Sequence, residues 1–323
     1  KATLLYTQGC NIWRNRQLQK NGEFDKPLNW GDENELKKEA LKIAKEADVI
    51  VCAMGESADM SGECGSRTNL EMPDVQHELL AELVKLGKPV VLLNFAGRPT
   101  VLSWEKQYVP AIMNVWFGGS EMGDALCDVI FGDKVPSGKL TTSMPKTTGQ
   151  APIYYNHHNT GRPVPDDNKE FAKYASNCLD VSNGPLYPFG YGLSYTTFEY
   201  SNFKLSSQEA DINGNQEATE WQNGKKITAT VTVKNTGARD ADEVVQLYIR
   251  DMVASISRPV KELKGFQRIH LVAGESKEVS FEITPDMLKF YNIELKHVIE
   301  PGDFQIMVGA NSREVKTLNF NVK

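Results

Sequence analysis

A chain of 323 residues, 40% hydrophobic and 24% charged, exceeds one average domain and predicts two, each long enough to bury a core. Its net charge of −6 argues against nucleic acid as a partner, because phosphates demand a clustered basic surface. No apolar run approaches the ~20 residues that span a bilayer, so no membrane partner is expected.

The first residues, Lys1 to Tyr6, read as a strand and not as a signal peptide, since they show no basic n-region, long apolar stretch or small-residue cleavage site. The chain therefore reads as mature, truncated or internal. Asp32 and Glu35 have the spacing of a capping box, and Leu36, Ala40, Ile43, Ala44 and Ala47 recur behind them at helical period. Val49 to Met54 is a continuous apolar run, as in a strand covered on both faces. A second helix opens with Pro73, shows Val75, Leu79, Leu83 and Leu86 on one face, and ends at Gly87 and Pro89. Pro89 to Leu93 and Ala111 to Val115 read as further buried strands, and Met122 to Ile130 as another helix. This alternation predicts an α/β sandwich, a mostly parallel sheet with helices on both faces.

From about residue 133 the period is lost. Val135 to Lys139 and Tyr154 to Asp167 read as loops, and Gly184 to Gly192 as an aromatic, turn-rich tail that packs in order. Residues 205–224 are polar and read as a linker or exposed hairpin. Beyond them the period is two: Ile227, Ala229, Val231 and Val233; Val245, Leu247 and Ile249; Val279, Phe281 and Ile283; Phe304, Ile306 and Val308; Leu318, Phe320 and Val322. Short alternating strands with regular turns predict an all-β, immunoglobulin-like sandwich.

In open α/β sheets ligands bind beyond the carboxyl ends of strands. The loop after the first buried strand, Gly55 to Arg67, holds three carboxylates, three glycines and one arginine. Two readings stand. It is a solvated surface loop in which Arg67 pairs an acid, or it carries a carboxyl placed for proton transfer. Other chemistries find less support. Gly118-Gly119-Ser120 lacks the closing glycine of a nucleophile elbow, and Ser120 reads as a helix cap. His157 and His158 have no partners at metal-binding spacing and read as a hydrogen-bonding loop pair. Asp211 to Asn215 opens like a calcium loop, but Gln216 and Gln222 stand where glycine and glutamate are needed, so it reads as a turn. The five cysteines (Cys10, Cys52, Cys64, Cys127, Cys178) lack metal-finger spacing and are odd in number. No metal and no cofactor are expected.

The run Gly55-Glu56…Ser61-Gly62-Glu63…Ser66-Arg67-Thr68…Leu70…Pro73…Gln76 resembles the second domain of glycoside hydrolase family 3, and most nearly its bacterial periplasmic β-glucosidases. Gly97-Arg98-Pro99, Trp116 to Gly119, Pro136 to Leu140, Asn159 to Pro163, Pro188 to Thr196 and Ser257-Arg258-Pro259…Leu263 to Phe266 extend the resemblance over essentially the whole chain, in order. It implies residues 1–200 as the family's α/β sandwich domain, N-terminally truncated, 201–224 as a linker, and 225–323 as a fibronectin type III-like domain.

The resemblance further implies a retaining hydrolase of β-glucosides or oligosaccharides, periplasmic or secreted. Glu63 stands at the position of the general acid/base, with Glu56 as the competing carboxyl. Arg67 orients the loop and, with His157 and Asn159, is a candidate for substrate binding. The family's nucleophile is an aspartate on a barrel-like first domain, so that domain, in the same precursor or a separate chain, is the expected partner. The chain alone is expected to be inactive, and to self-associate through an unpaired sheet edge or depend on a partner chain. A non-catalytic carbohydrate-binding or scaffold protein is the alternative.

Overall fold

The computed structural model describes residues 2–14 and 30–323. The chain forms two compact units, Lys1–Gly123 with Met144–Ala151, and Asp124–Ser143 with Pro152–Lys323.

The first unit is built on a parallel sheet. Helix α1 (Glu33–Glu46) starts where the sequence places its cap: one Asp32 carboxylate oxygen accepts from the backbone of Asn34 and Glu35 at 3.0 and 3.1 Å. That satisfies two of the donors a helix start leaves open. Strands β1 (Ile50–Gly55), β2 (Val90–Phe95) and β3 (Ala111–Asn114) follow in the order β1-β2-β3, all parallel, with Ile50 opposite Val90 and Val91 opposite Ala111. Helix α2 (Asp74–Val84) links the first pair and α3 (Ser103–Tyr108) the second. Because β side chains alternate, Ile50, Cys52 and Met54 share a face with Val90 and Leu92, and that face packs on Ala40 and Ala44 of α1 and Leu79, Leu80 and Leu83 of α2. Each such leucine contributes about 1.5–3 kcal/mol when fully buried. Helix α4 (Met122–Ile130) leads the chain into the second unit.

The strand read at the start of the sequence is not formed by Ala2 to Tyr6, and Lys1 lies outside the described residues. Leu4 and Tyr6 are 88% and 82% exposed. β-propensity makes a strand only where a neighbouring edge completes the ladder, and none of the described strands lies against this segment.

The second unit is a two-sheet sandwich. Strands β4 (Phe198–Leu205), β6 (Ile227–Asn235) and β9 (Ser276–Ile283) make one sheet, in the order β4-β6-β9. The other, in the order β5-β13-β12-β7-β8, contains β5 (Glu209–Ala210), β7 (Ala241–Asp251), β8 (Glu262–Leu271), β12 (Gly302–Gly309) and β13 (Val315–Val322). A short helix α5 (Pro285–Leu288) and a small hairpin, β10 (Phe290–Tyr291) with β11 (His297–Val298), complete it. The alternating residues fill one core: Ile227, Val233, Val245, Leu247, Ile283, Ile306 and Val308 are all fully buried.

Residues 201–224 are not the expected linker but part of the sandwich. β4 pairs along β6 with Tyr200 opposite Val233, β5 adds to β13, and Ile212, Ala218 and Trp221 enter the core. The Trp221 indole N–H donates to the Ile283 carbonyl at 2.7 Å. A few large anchors bind this polar segment to the sandwich, and its average composition hides them. Asp211 to Asn215 holds the turn read from the sequence, with Asn215 N–H donating to Ile212 O at 2.9 Å and the Asp211 carboxylate accepting from Asn213 N–H at 2.6 Å.

A buried ion pair ties Lys139, at the end of one periodless loop, to Gly192, at the end of the aromatic tail. The Lys139 ammonium lies 3.2 and 3.1 Å from the two carboxylate oxygens of Glu243 and donates to the Gly192 carbonyl at 3.1 Å, while the Tyr200 hydroxyl donates to Glu243 at 2.8 Å. The side chains of Lys139 and Glu243 are 12% and 3% exposed. Removing one partner of a buried pair strands the other charge, so Lys139→Met is expected to cost about 3–5 kcal/mol in urea unfolding. The double variant Lys139→Met/Glu243→Leu recovers most of that, and a single-variant loss below about 1 kcal/mol contradicts the account.

All five cysteines are free thiols. Burial pushes Cys10 up to about 11 and Cys52 up to about 12, so neither ionises at neutral pH, whereas Cys64, Cys127 and Cys178 are exposed. Because the thiolate is the reactive form, a disulfide-exchange reagent at about pH 8 is expected to label those three quickly and the other two only in denaturant. Rapid labelling of all five contradicts the burial.

Candidate functional site

The carboxyl end of β1 is set by two residues that leave little freedom. Gly55 has φ +135°, and a Cβ there would lie 1.8 Å from the Phe95 carbonyl oxygen. Only glycine accepts both constraints. The buried Gln76 amide of α2 then closes on Gly55, its oxygen accepting the Gly55 N–H at 2.6 Å and its nitrogen donating to the Gly55 carbonyl at 2.8 Å.

The next residue, Glu56, has a side chain only 1% exposed. A carboxylate removed from water needs charge and hydrogen bonds in return. Arg67 Nη1 reaches it at 2.8 Å, Arg98 Nε lies 3.0 Å from one oxygen and 3.4 Å from the other, and the Gly97 N–H donates at 3.1 Å. Two guanidinium groups meet one carboxylate, and their remaining donors turn to backbone carbonyls. Arg67 Nη2 donates to Glu71 O at 2.7 Å, and Arg98 Nη2 donates to Gly65 O at 2.6 Å and to Met60 O. The loop is therefore tied at residues 56, 60, 65, 67 and 71.

Between two of those ties the chain makes a tight turn, with Gly65 N–H donating to Gly62 O at 3.0 Å. Cys64 takes φ +62° at its third position, a place that favours glycine or asparagine. Glu63 is the second residue of this turn and is exposed. Close approach of the loops after β1 and β2 explains Gly97 too: a Cβ there would lie 1.8 Å from Ser61 Oγ. An exposed carboxyl on a pinned turn, beyond a parallel strand's carboxyl end, can give or take a proton from a ligand presented at that end.

The candidates divide accordingly. Glu63 and Arg67 share this loop, but the Arg67 side chain is only 8% exposed and is committed to Glu56 and Glu71, which makes it a brace and not a free hand for substrate. Its guanidinium also lies 5.2 Å from the Trp13 ring. His157 and Asn159 belong to the second unit and are exposed. There the His157 carbonyl accepts from Val260 N–H at 2.9 Å and His158 Nδ1 lies 2.8 Å from Ser257 Oγ, which straps the loop down as a hydrogen-bonding pair. Arg98 and Gln76 were given no role by sequence reasoning. Their signal was available: Gly97-Arg98 follows β2 as Glu56 follows β1, and adjacent parallel strands end on one side.

Loss of Arg98 frees the loop without touching Glu63. In Arg98→Ala, amide exchange over residues 57–67 is expected to speed at least ~10-fold, while β1 and β2 keep their protection. Unchanged exchange in this segment counts against the brace.

Comparison with known proteins adds the following. The model of the glycosyl hydrolase family 3 C-terminal domain matches residues 9–195, and that of a fibronectin type III-like domain matches residues 243–312. The chain is 44% identical to a periplasmic beta-glucosidase of Salmonella typhimurium, over 99% of this chain and 41% of the relative. It is 42% identical to a beta-xylosidase of Formosa agariphila, over 88% of this chain and 37% of that protein. Among solved structures it is similar to the beta-glucosidase of Listeria innocua in complex with glucose, with a TM-score of 0.80 and 40% identity, over 91% of this chain and 39% of that one. The chain thus spans about two fifths of the length of the relatives it matches.

Proposed function

The chain belongs to glycosyl hydrolase family 3, and from that premise we propose that Glu63 is the general acid/base of a retaining β-glucosidase-type hydrolase whose nucleophile lies on a further, barrel-like domain. One observation carries the reading: Glu63 stands exposed on a turn that buried ion pairs hold rigid at a strand's carboxyl end.

Retaining hydrolysis needs two carboxyl groups about 5–5.5 Å apart. In the first step the nucleophile bonds to the anomeric carbon, the glycosidic bond breaks, and Glu63 gives its proton to the departing oxygen. In the second, Glu63 takes a proton from water as that water's oxygen displaces the nucleophile. Both steps require the carboxyl to be placed within about half an ångström, which supports a role for the braced loop. The names of the relatives support a β-glucoside or β-xyloside as substrate, and the Salmonella relative supports a periplasmic or secreted location. Among the described residues no helix is long and apolar enough to cross a membrane.

The test is complementation with a barrel domain of the same family. The 323-residue chain alone is expected to turn over no aryl glucoside, and the reconstituted pair to be active. Glu63→Gln then lowers kcat by about 10²–10⁴-fold. The loss is larger for an alkyl glucoside, whose leaving oxygen needs the proton more. Full activity of the Glu63→Gln pair overturns the assignment, turnover by the chain alone overturns the need for a second carboxyl, and sugar binding without restored turnover favours a non-catalytic module.

A further inference from the structure

A cleft of about 670 Å³ opens on the first unit, within the roughly 300–1,000 Å³ of small-molecule sites. Its lining includes two indoles, Trp13 and Trp104, with His77, Glu71, Glu105 and Arg67, and does not include Glu63. These residues come from the segment before α1, the loop after β1, α2 and α3, so tertiary folding and not local sequence assembles them.

The walls are built. Trp104 stands edge-on to His77 at 4.6 Å between ring centres and lies 4.9 Å from Tyr108. Glu105 is 97% buried, counted from its 3% exposure, with its carboxylate 3.4 Å from His77 Nδ1. Its desolvation, which outweighs the His77 contact, raises its pKa, and Glu71 adds to the rise. A carboxyl so placed can donate a hydrogen bond when protonated and accept one when not. Four carboxylates and three cationic side chains line the cleft, a near balance that favours a neutral, hydroxyl-rich ligand over an ion of either sign. Flat amphipathic indoles suit the C–H face of a sugar ring.

We propose that this cleft is a carbohydrate-binding site, taking one or two β-linked glucosyl or xylosyl units without acting on them. The choice of sugar rests on the function proposed above; the cleft itself does not. It also touches the acid/base loop, because Arg67 lines it while holding Glu56 at 2.8 Å and the Glu71 carbonyl at 2.7 Å. A sugar seated beside Glu71 therefore packs against the segment that ties the loop carrying Glu63, and leaves the Arg67 brace intact.

The 323-residue chain is titrated with cellobiose and with laminaribiose, read by tryptophan fluorescence and by amide exchange. A saturable change is expected, with slowed exchange over residues 67–78 and 101–105. Trp104→Ala weakens binding at least ~10-fold. Trp104→Phe, which keeps an aromatic ring against His77 should the alanine variant misfold, weakens it several-fold. Glu63→Gln binds like the parent. The proposal is overturned by the absence of saturable binding, by binding that both Trp104 variants leave unchanged, or by binding that Glu63→Gln removes. Turnover in the reconstituted pair without binding by the cleft sinks this inference alone, whereas binding without turnover leaves it standing and sinks the catalytic reading.

Discussion

A carboxylate with almost no contact with water, Glu56, sets the geometry at the carboxyl end of β1. Taking such a charge out of solvent costs several kcal/mol even after relaxation, and only near-complete pairing offsets it. Pairing with two guanidiniums overshoots, and the excess positive charge is absorbed by the carbonyls of Met60, Gly65 and Glu71. A local electrostatic demand thereby becomes a loop architecture. The strand end beneath it is equally constrained, by a glycine that admits no side chain and an amide that grips both of its backbone groups.

The second unit applies the same logic with a different cation. Glu243 is met by Lys139, an ammonium with three donors, which shares itself between the carboxylate and the Gly192 carbonyl. One loop is secured this way. At Glu56 several backbone points must be secured at once, and there the planar fork of arginine serves, since its donors diverge in fixed directions. Lysine at position 67 or 98 would keep the charge and lose the second attachment.

How much of this was legible depended on what imposes each feature. α1, α2 and the sandwich strands were readable because burial writes a period of 3.6 or 2 into the sequence, β1 and β2 were readable as short continuous apolar runs, and Asp32 was readable because capping is local. The segment 201–224 was not, because its membership of the sandwich rests on Ile212, Ala218 and Trp221 scattered among polar residues. Ala2 to Tyr6 has the propensity of a strand, but the strand state needs a neighbouring edge that no local pattern reports. Glu63 could be placed on its loop from sequence, and the role proposed for it came only through resemblance. Arg67 was half legible: an acid partner was foreseen, but its commitment to Glu56 and Glu71, which leaves little for substrate, required the fold. The partnership of Glu56 with Arg98 spans 42 residues and exists only because β1 and β2 run parallel.

The contrast between the two glutamates supports the division of work proposed for them. A general acid/base must gain and lose a proton in every turnover without rearranging its surroundings. Glu56 fails that condition, because each proton it accepted would remove the charge that holds Arg67 and Arg98, and would leave two guanidiniums facing each other in a site nearly closed to water. Glu63 meets it, being exposed on a turn whose ties are made by backbone carbonyls and by other side chains. The buried carboxylate ties the loop in place, and the proposed acid/base is the exposed carboxyl that makes none of those ties.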